Sequence, residues 1–149
     1  MPRTTSALPF ILMLAAFTGG CTAPQPTEIN YRCVVPKVFT IAPGTDVAIA
    51  FASRLTAAAR LEVLSQTRLK GKASNDVTYI VSLRSSAASG VFVNILFNEP
   101  YRTVAMTISG DVANPEATRI AQESAKVFSL MVPGSVLAPF SGNQALFGP

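Results

Sequence analysis

The sequence contains no histidine and no tryptophan, only two cysteines, and few charges for its length: 12 Lys and Arg against 8 Asp and Glu in 149 residues. The missing imidazole removes the most used general acid/base and the commonest metal ligand. A Cys/His nucleophile is therefore excluded, and a metal site would lack the thiols and imidazoles it usually needs. A serine nucleophile would have to use a lysine base, yet neither Ser-x-x-Lys nor Gly-x-Ser-x-Gly occurs. Lys70-Gly71-Lys72 contains a Gly-Lys pair, but Ala73 follows it and the upstream glycine of a phosphate loop is missing. The carboxylates Asp46, Glu62, Asp76, Glu99, Asp111, Glu116 and Glu123 are spread singly, and each reads as a helix cap or surface charge. No catalytic residue, metal ligand or cofactor site is expected.

Low charge comes with high hydrophobicity, 13% against 49%, which excludes disorder driven by charge. The net charge of +4 is mild, and no Lys/Arg run forms a phosphate-binding stripe, so no nucleic-acid partner is expected. A chain of roughly 130 residues behind a leader buries about two-thirds of the surface it exposes when unfolded, enough for a core without disulfides.

The N-terminus has three parts in order. Arg3 and the terminal amine are positive, Leu8 to Phe17 is an apolar run too short to span a membrane as a helix, and Thr18-Gly19-Gly20 precedes Cys21. This is the pattern of an export signal. With a cysteine directly after the small residues, it resembles the lipobox of bacterial lipoproteins, over about the first 22 residues only. The resemblance implies cleavage between Gly20 and Cys21 and acylation of Cys21, which attaches the chain to the membrane through covalent lipid. The family usually has an aliphatic residue three places before the cysteine; here Thr18 stands there and the bulky Phe17 lies one place further back. Thr22 is not the Asp that commonly retains such proteins in the inner membrane, so the resemblance implies the outer membrane, facing the periplasm. The residues also permit ordinary secretion by a cut after Ala23, giving a soluble product. Cys33 then remains as a lone thiol, buried or open to interchain oxidation.

Behind the leader, 1–20, the expected organisation is a lipidated cysteine and flexible tether over 21–30, a small domain over 31–134, and an apolar tail over 135–149 broken by Pro139, Gly142, Gly148 and Pro149. Val34 to Ile41, interrupted by Pro36, reads as an edge strand or extended arm. Thr45 is an expected N-cap, and the Ala-rich stretch from Asp46 to about Leu69, free of Gly and Pro, reads as one helix ending near Gly71. Three runs with period two follow. Val77, Tyr79, Val81 and Leu83 form the first apolar row, Val91, Val93, Ile95 and Phe97 the second, and Val104, Met106 and Ile108 the third. Short connections make them antiparallel. Asn114-Pro115-Glu116 is a strong helix start, and the stripe Ala117, Ile120, Ala121, Ser124, Val127, Phe128 and Met131 is its buried side. The expected fold is α+β, a two-layer sandwich with a three- to four-stranded antiparallel sheet and both helices on one face, in the order β-α-β-β-β-α.

Two surface features stand out. Arg68, Lys70 and Lys72, with Arg84, form the best cationic cluster, at an expected helix end and in the loop after it, suited to lipid headgroups, an acidic partner or an anionic glycan. Phe92 and Leu96 flank Asn94 on the sheet face away from the helices, where either the tail or a partner covers them, since contiguous apolar surface tends to mark an interface. The expected function is that of a non-enzymatic envelope lipoprotein that binds an envelope protein partner, for instance as an accessory subunit. The alternative is a small-ligand or lipid-binding periplasmic module, with a cavity between sheet and helices.

Overall fold

Alternation of apolar and polar side chains over Val77–Ser85, Val91–Asn98 and Thr103–Gly110 produces three strands, as the period-two rows require. In the computed structural model they form the middle of a six-stranded antiparallel sheet. The structure describes residues 27–37, 39, 46–73, 76–85 and 89–140; the leader, Cys21, residues 22–26 of the tether and residues 141–149 of the tail lie outside them. The element order is β1 (Glu28–Val34), α1 (Val47–Ala59), β2 (Leu61–Lys70), β3 (Val77–Ser85), β4 (Val91–Asn98), β5 (Thr103–Gly110), α2 (Pro115–Met131) and β6 (Ala138–Phe140). In space the strands run β2-β3-β4-β5-β1-β6. The fold is α+β, but the sheet is wider than the three to four strands expected.

Two elements differ from the sequence expectation for physical reasons. The helix expected over Asp46 to Leu69 stops at Ala59, and Leu61–Lys70 is strand β2, paired with β3 from Leu61↔Ser85 to Lys70↔Val77. The break is made by Arg60 at φ 55° and ψ 49°, a left-handed cap that glycine usually supplies, so no residue type announced it. Arg68 and Lys70 therefore sit on a strand, not at a helix end. The expected edge strand at Val34 to Ile41 is also displaced. The strand is Glu28–Val34, held between β5 and β6, and it claims the last three residues assigned to the tether. Pro36, with no N–H to donate, falls after it.

Asp46, rather than Thr45, caps α1: its carboxylate accepts from the backbone N–H of Ala48 at 2.7 Å and of Ile49 at 3.3 Å. Burial pushes this carboxyl up, and those N–H donors pull it back. Asn114 caps α2 by accepting from Glu116 N at 2.9 Å, with Pro115 in the first turn, as the sequence predicts.

The helices run antiparallel on one face of the sheet, since Phe51 meets Phe128 edge-to-face at 5.2 Å while Ala59 meets Arg119. Beneath them the rows Val81/Leu83, Val93/Ile95 and Met106/Ile108 are fully buried with Phe51, Leu55, Ile120 and Phe128. Tyr31 and Cys33 of β1 extend the same face, opposite Met106 and Val104. The start of the tail is part of this body: Ser135 and Leu137 are buried, and β6 pairs with Asn30–Arg32 of β1. Gly110 ends β5 at φ 91°, where a Cβ would overlap the carbonyl oxygen of Gly90, so only glycine fits.

Arg102, also left-handed at φ 48°, fastens the chain between β1 and α1. Its guanidinium donates to the carbonyls of Val35 at 3.4 Å, Pro36 at 3.2 Å and Phe39 at 2.8 Å. Arg102→Ala is expected to cost about 1.5–3 kcal/mol, the range for hydrogen bonds from a charged donor. Arg102→Gly loses the same bonds but relieves the backbone, so it should recover about 0.5–1 kcal/mol of that loss. Urea melts of the two variants measure the difference; equal stabilities would show that the left-handed turn stores no strain.

Candidate functional site

Phe92, Asn94 and Leu96 lie at alternate positions of β4 and share the sheet face opposite the helices. Phe92 is 42% exposed and Leu96 half-buried. They cross a ladder of polar pairs. Ser82, Asn94, Thr107 and Asn30 stand side by side on β3, β4, β5 and β1. Ser82 Oγ donates to Asn94 Oδ1 at 2.8 Å, and Thr107 Oγ1 donates to Asn30 Oδ1 at 2.7 Å. One row along, Ile80, Leu96 and Ala105 are neighbours; one row the other way, Phe92 lies between Arg84 and Ser109. The result is a face on which polar side chains pair with one another beside apolar ones, Phe92 exposed and Ala105 fully buried, with no described helix over it.

Of the four cations expected to cluster, the sheet keeps three together. Arg68 and Lys70 are on β2, and Lys72 follows in the turn. Arg84 is paired with β2 at Glu62, whose Oε2 accepts from Arg84 Nε at 2.7 Å. Seven residues of strand separate Arg84 from Val77, the partner of Lys70, so Arg84 lies about 23 Å away. Alternation of strand direction also means that β1 and β2 point the same way. Lys70 thus lies at the end of the sheet opposite Glu28, where the chain enters from the N-terminal side.

Nothing local in the residues of β2 marks it as a surface feature. Nine of its ten residues are exposed, including the apolar Val63, Leu64 and Leu69. Among the described residues, only one of its edges is paired. Two open clefts lie where α1 overhangs it, of about 280 Å³ and 250 Å³, and both are lined by Ile49 and Gln66. Arg68 borders the larger, its guanidinium 5.6 Å from the Tyr79 ring.

The strongest titratable cluster joins three elements at the opposite end. Arg119 donates to both oxygens of Glu116, at 2.8 and 2.6 Å, and to the carbonyl of Ala59 at 2.7 Å; Ser85 Oγ donates to Glu116 Oε1 at 2.9 Å. This ties the end of α1 and the end of β3 to the first turn of α2. The Arg119 guanidinium, with help from Ser85 and against the effect of burial, holds the Glu116 carboxyl below the usual glutamate range. A lowered pKa contributes stability that is present above the unfolded-state value, near 4.3 for glutamate, and is lost as pH falls through the folded value. The stability difference between the wild type and Glu116→Gln should therefore be largest near neutral pH and shrink on acidification. Denaturant melts at several pH values check this, and a difference that grows in acid would contradict it. Asp46, with its carboxyl raised, acts in the opposite sense, which the paired comparison cancels.

Cys33 is buried, and burial raises its thiol pKa despite hydrogen bonds from Ser135 and the backbone at Val136. A thiol so placed is a poor nucleophile. Among the described residues no three of His, Cys, Asp and Glu come together as a metal site, and no helix is long and apolar enough to cross a membrane.

No protein-family model and no curated protein sequence matches the chain.

Proposed function

We propose that this chain is a membrane-anchored envelope lipoprotein, acylated at Cys21, whose α+β domain acts as a non-enzymatic accessory subunit by binding a protein partner. The observation that carries the binding half is the sheet face that no described helix covers, where Phe92 stands 42% exposed beside Leu96. Exposed aromatic and aliphatic groups around satisfied polar ones are the composition of an interface centre. The space that a small-ligand or lipid-binding module would need between sheet and helices is filled by Phe51, Leu55, Ile120 and Phe128, each fully buried, which favours surface recognition. The leader and Cys21 support the anchored half through their resemblance to the lipobox, and outer-membrane placement facing the periplasm follows from Thr22 on the same ground.

A photo-reactive phenylalanine analogue placed at position 92 of the full chain, in growing cells, is expected to yield one reproducible cross-linked species. Leu96→Ala should weaken it, with circular dichroism showing that the domain remains folded. Absence of any adduct, together with no co-purifying protein from solubilised membranes, would count against the reading.

A further inference from the structure

We infer that the edge of β2 that no described strand pairs is a docking edge for an extended acidic segment of a partner protein, which adds to the sheet as a seventh strand. The inference rests on the reading of the domain as a protein-binding module and names a second surface on it. Natural sheets protect their edges with short strands, a covering element or charge. Here the opposite edge, β6, has three residues, whereas β2 has ten and is exposed along all but the first; its protection is the bulge at Val63/Ser65 and the charges Arg68 and Lys70, which admit only a strand of opposite charge. A strand this long, with Val63, Leu64 and Leu69 about half-exposed, presents a row of backbone donors and acceptors next to apolar side chains.

Register fixes the chemistry of the incoming strand. Residues directly opposite each other across a pair share a face. Gln66, Arg68 and Lys70 share the face of Val81, Tyr79 and Val77, towards α1 and the cleft lined by Ile49; Thr67 and Leu69 share the other face, with Ile80 and Thr78. A strand that matches both faces therefore alternates acidic and apolar residues, with the acids opposite Arg68 and Lys70. Glu62, the acid of β2, is already paired with Arg84.

The same charges decide against two other occupants. Antiparallel pairing with a second copy over this half of β2 would bring the Arg68 and Lys70 of each copy together, and the bulge between Val63 and Ser65 interrupts any longer register. Like charges in such positions destabilise a strand pair. A bilayer is disfavoured by placement, because the cations lie at the end of the sheet opposite Glu28, where the tether arrives.

The test uses the full chain in detergent micelles and fluorescent eight-residue peptides: alternating Glu/Val, alternating Lys/Val, and a block peptide with four Glu followed by four Val. The alternating acidic peptide should bind about tenfold more tightly than either control, as expected for two surface charge pairs added to strand pairing. It should slow hydrogen exchange of β2 amides and leave β1 unchanged. Lys70→Glu with Lys72→Glu, both at exposed positions, should weaken binding about tenfold, while Lys126→Glu, exposed on α2, leaves it unchanged. Equal binding of the two acidic peptides would reduce the effect to bulk charge and overturn the proposal. So would protection outside β2, concentration-dependent dimerisation that protects β2 without peptide, or binding of the cations to vesicles of anionic phospholipid in place of the peptide. If the position-92 cross-link forms and the peptide fails, only the β2 edge is lost; if the cross-link fails and the peptide binds, the sheet face is.

Discussion

Replacing Phe128 by alanine is expected to destabilise the domain by about 3–5 kcal/mol, a large share of the 5–15 kcal/mol typical of a domain. Phe128 is fully buried and sits edge-to-face with Phe51 at the crossing of the two helices, above the rows of β3, β4 and β5. Its removal deletes both the transfer free energy of the ring and the contacts of the residues around it, because those neighbours are held by the sheet and relax only partly. The midpoint of urea unfolding reads the effect. Phe92→Ala is the control, since that ring is 42% exposed and its removal should change stability by about 0.5 kcal/mol or less. If both variants lost the same stability, the face carrying Phe92 would be part of a core closed by residues 141–149, and the proposed interface would fall with it.

The second large effect concerns the anchor. Cys21→Ser is expected to abolish incorporation of labelled palmitate and to move the protein out of the membrane fraction. The reason is arithmetic: each acyl CH₂ that enters the bilayer contributes about 0.8 kcal/mol, one chain binds marginally, and two or more hold firmly. No described helix is long and apolar enough to cross a membrane, and the Arg68/Lys70/Lys72 cluster lies at the end of the sheet opposite Glu28. Label retained by the serine variant would remove the assignment of Cys21. Label absent from the wild type, with a mature N-terminus at Pro24, would favour the soluble product of a cut after Ala23.

These predictions draw on parts of the molecule that were unequally legible. Strands β3, β4 and β5 can be read from the sequence because each buries one face, and the period of two is written in Val81/Leu83, Val93/Ile95 and Met106/Ile108. Helix α2 is legible because its signals are local: Asn114 caps it, Pro115 opens it and Ile120 and Phe128 mark its stripe. Phe92, Asn94 and Leu96 could be placed on the outer face for the same reason, since alternation within one strand decides the face. The cationic cluster was only partly legible. Arg68, Lys70 and Lys72 are neighbours in sequence and stay so, but Arg84 was separated from them by a register that nothing local specifies.

The N-terminal pattern, the lack of imidazole chemistry, the three alternating runs and the α2 stripe follow from the sequence alone, because each depends on residues within a few positions of one another. The fate of Leu61–Lys70 does not. Local propensity allowed the Ala-rich helix to continue; what ended it was the left-handed turn at Arg60 and pairing with a strand that begins only at Val77. Long-range pairing likewise turned Glu28–Val34 into an interior strand and recruited Ala138–Phe140 to its edge. Backbone hydrogen bonds between distant segments leave no periodic trace in either segment, so the width of the sheet, its open edge and the surface proposed there were decided by the tertiary structure.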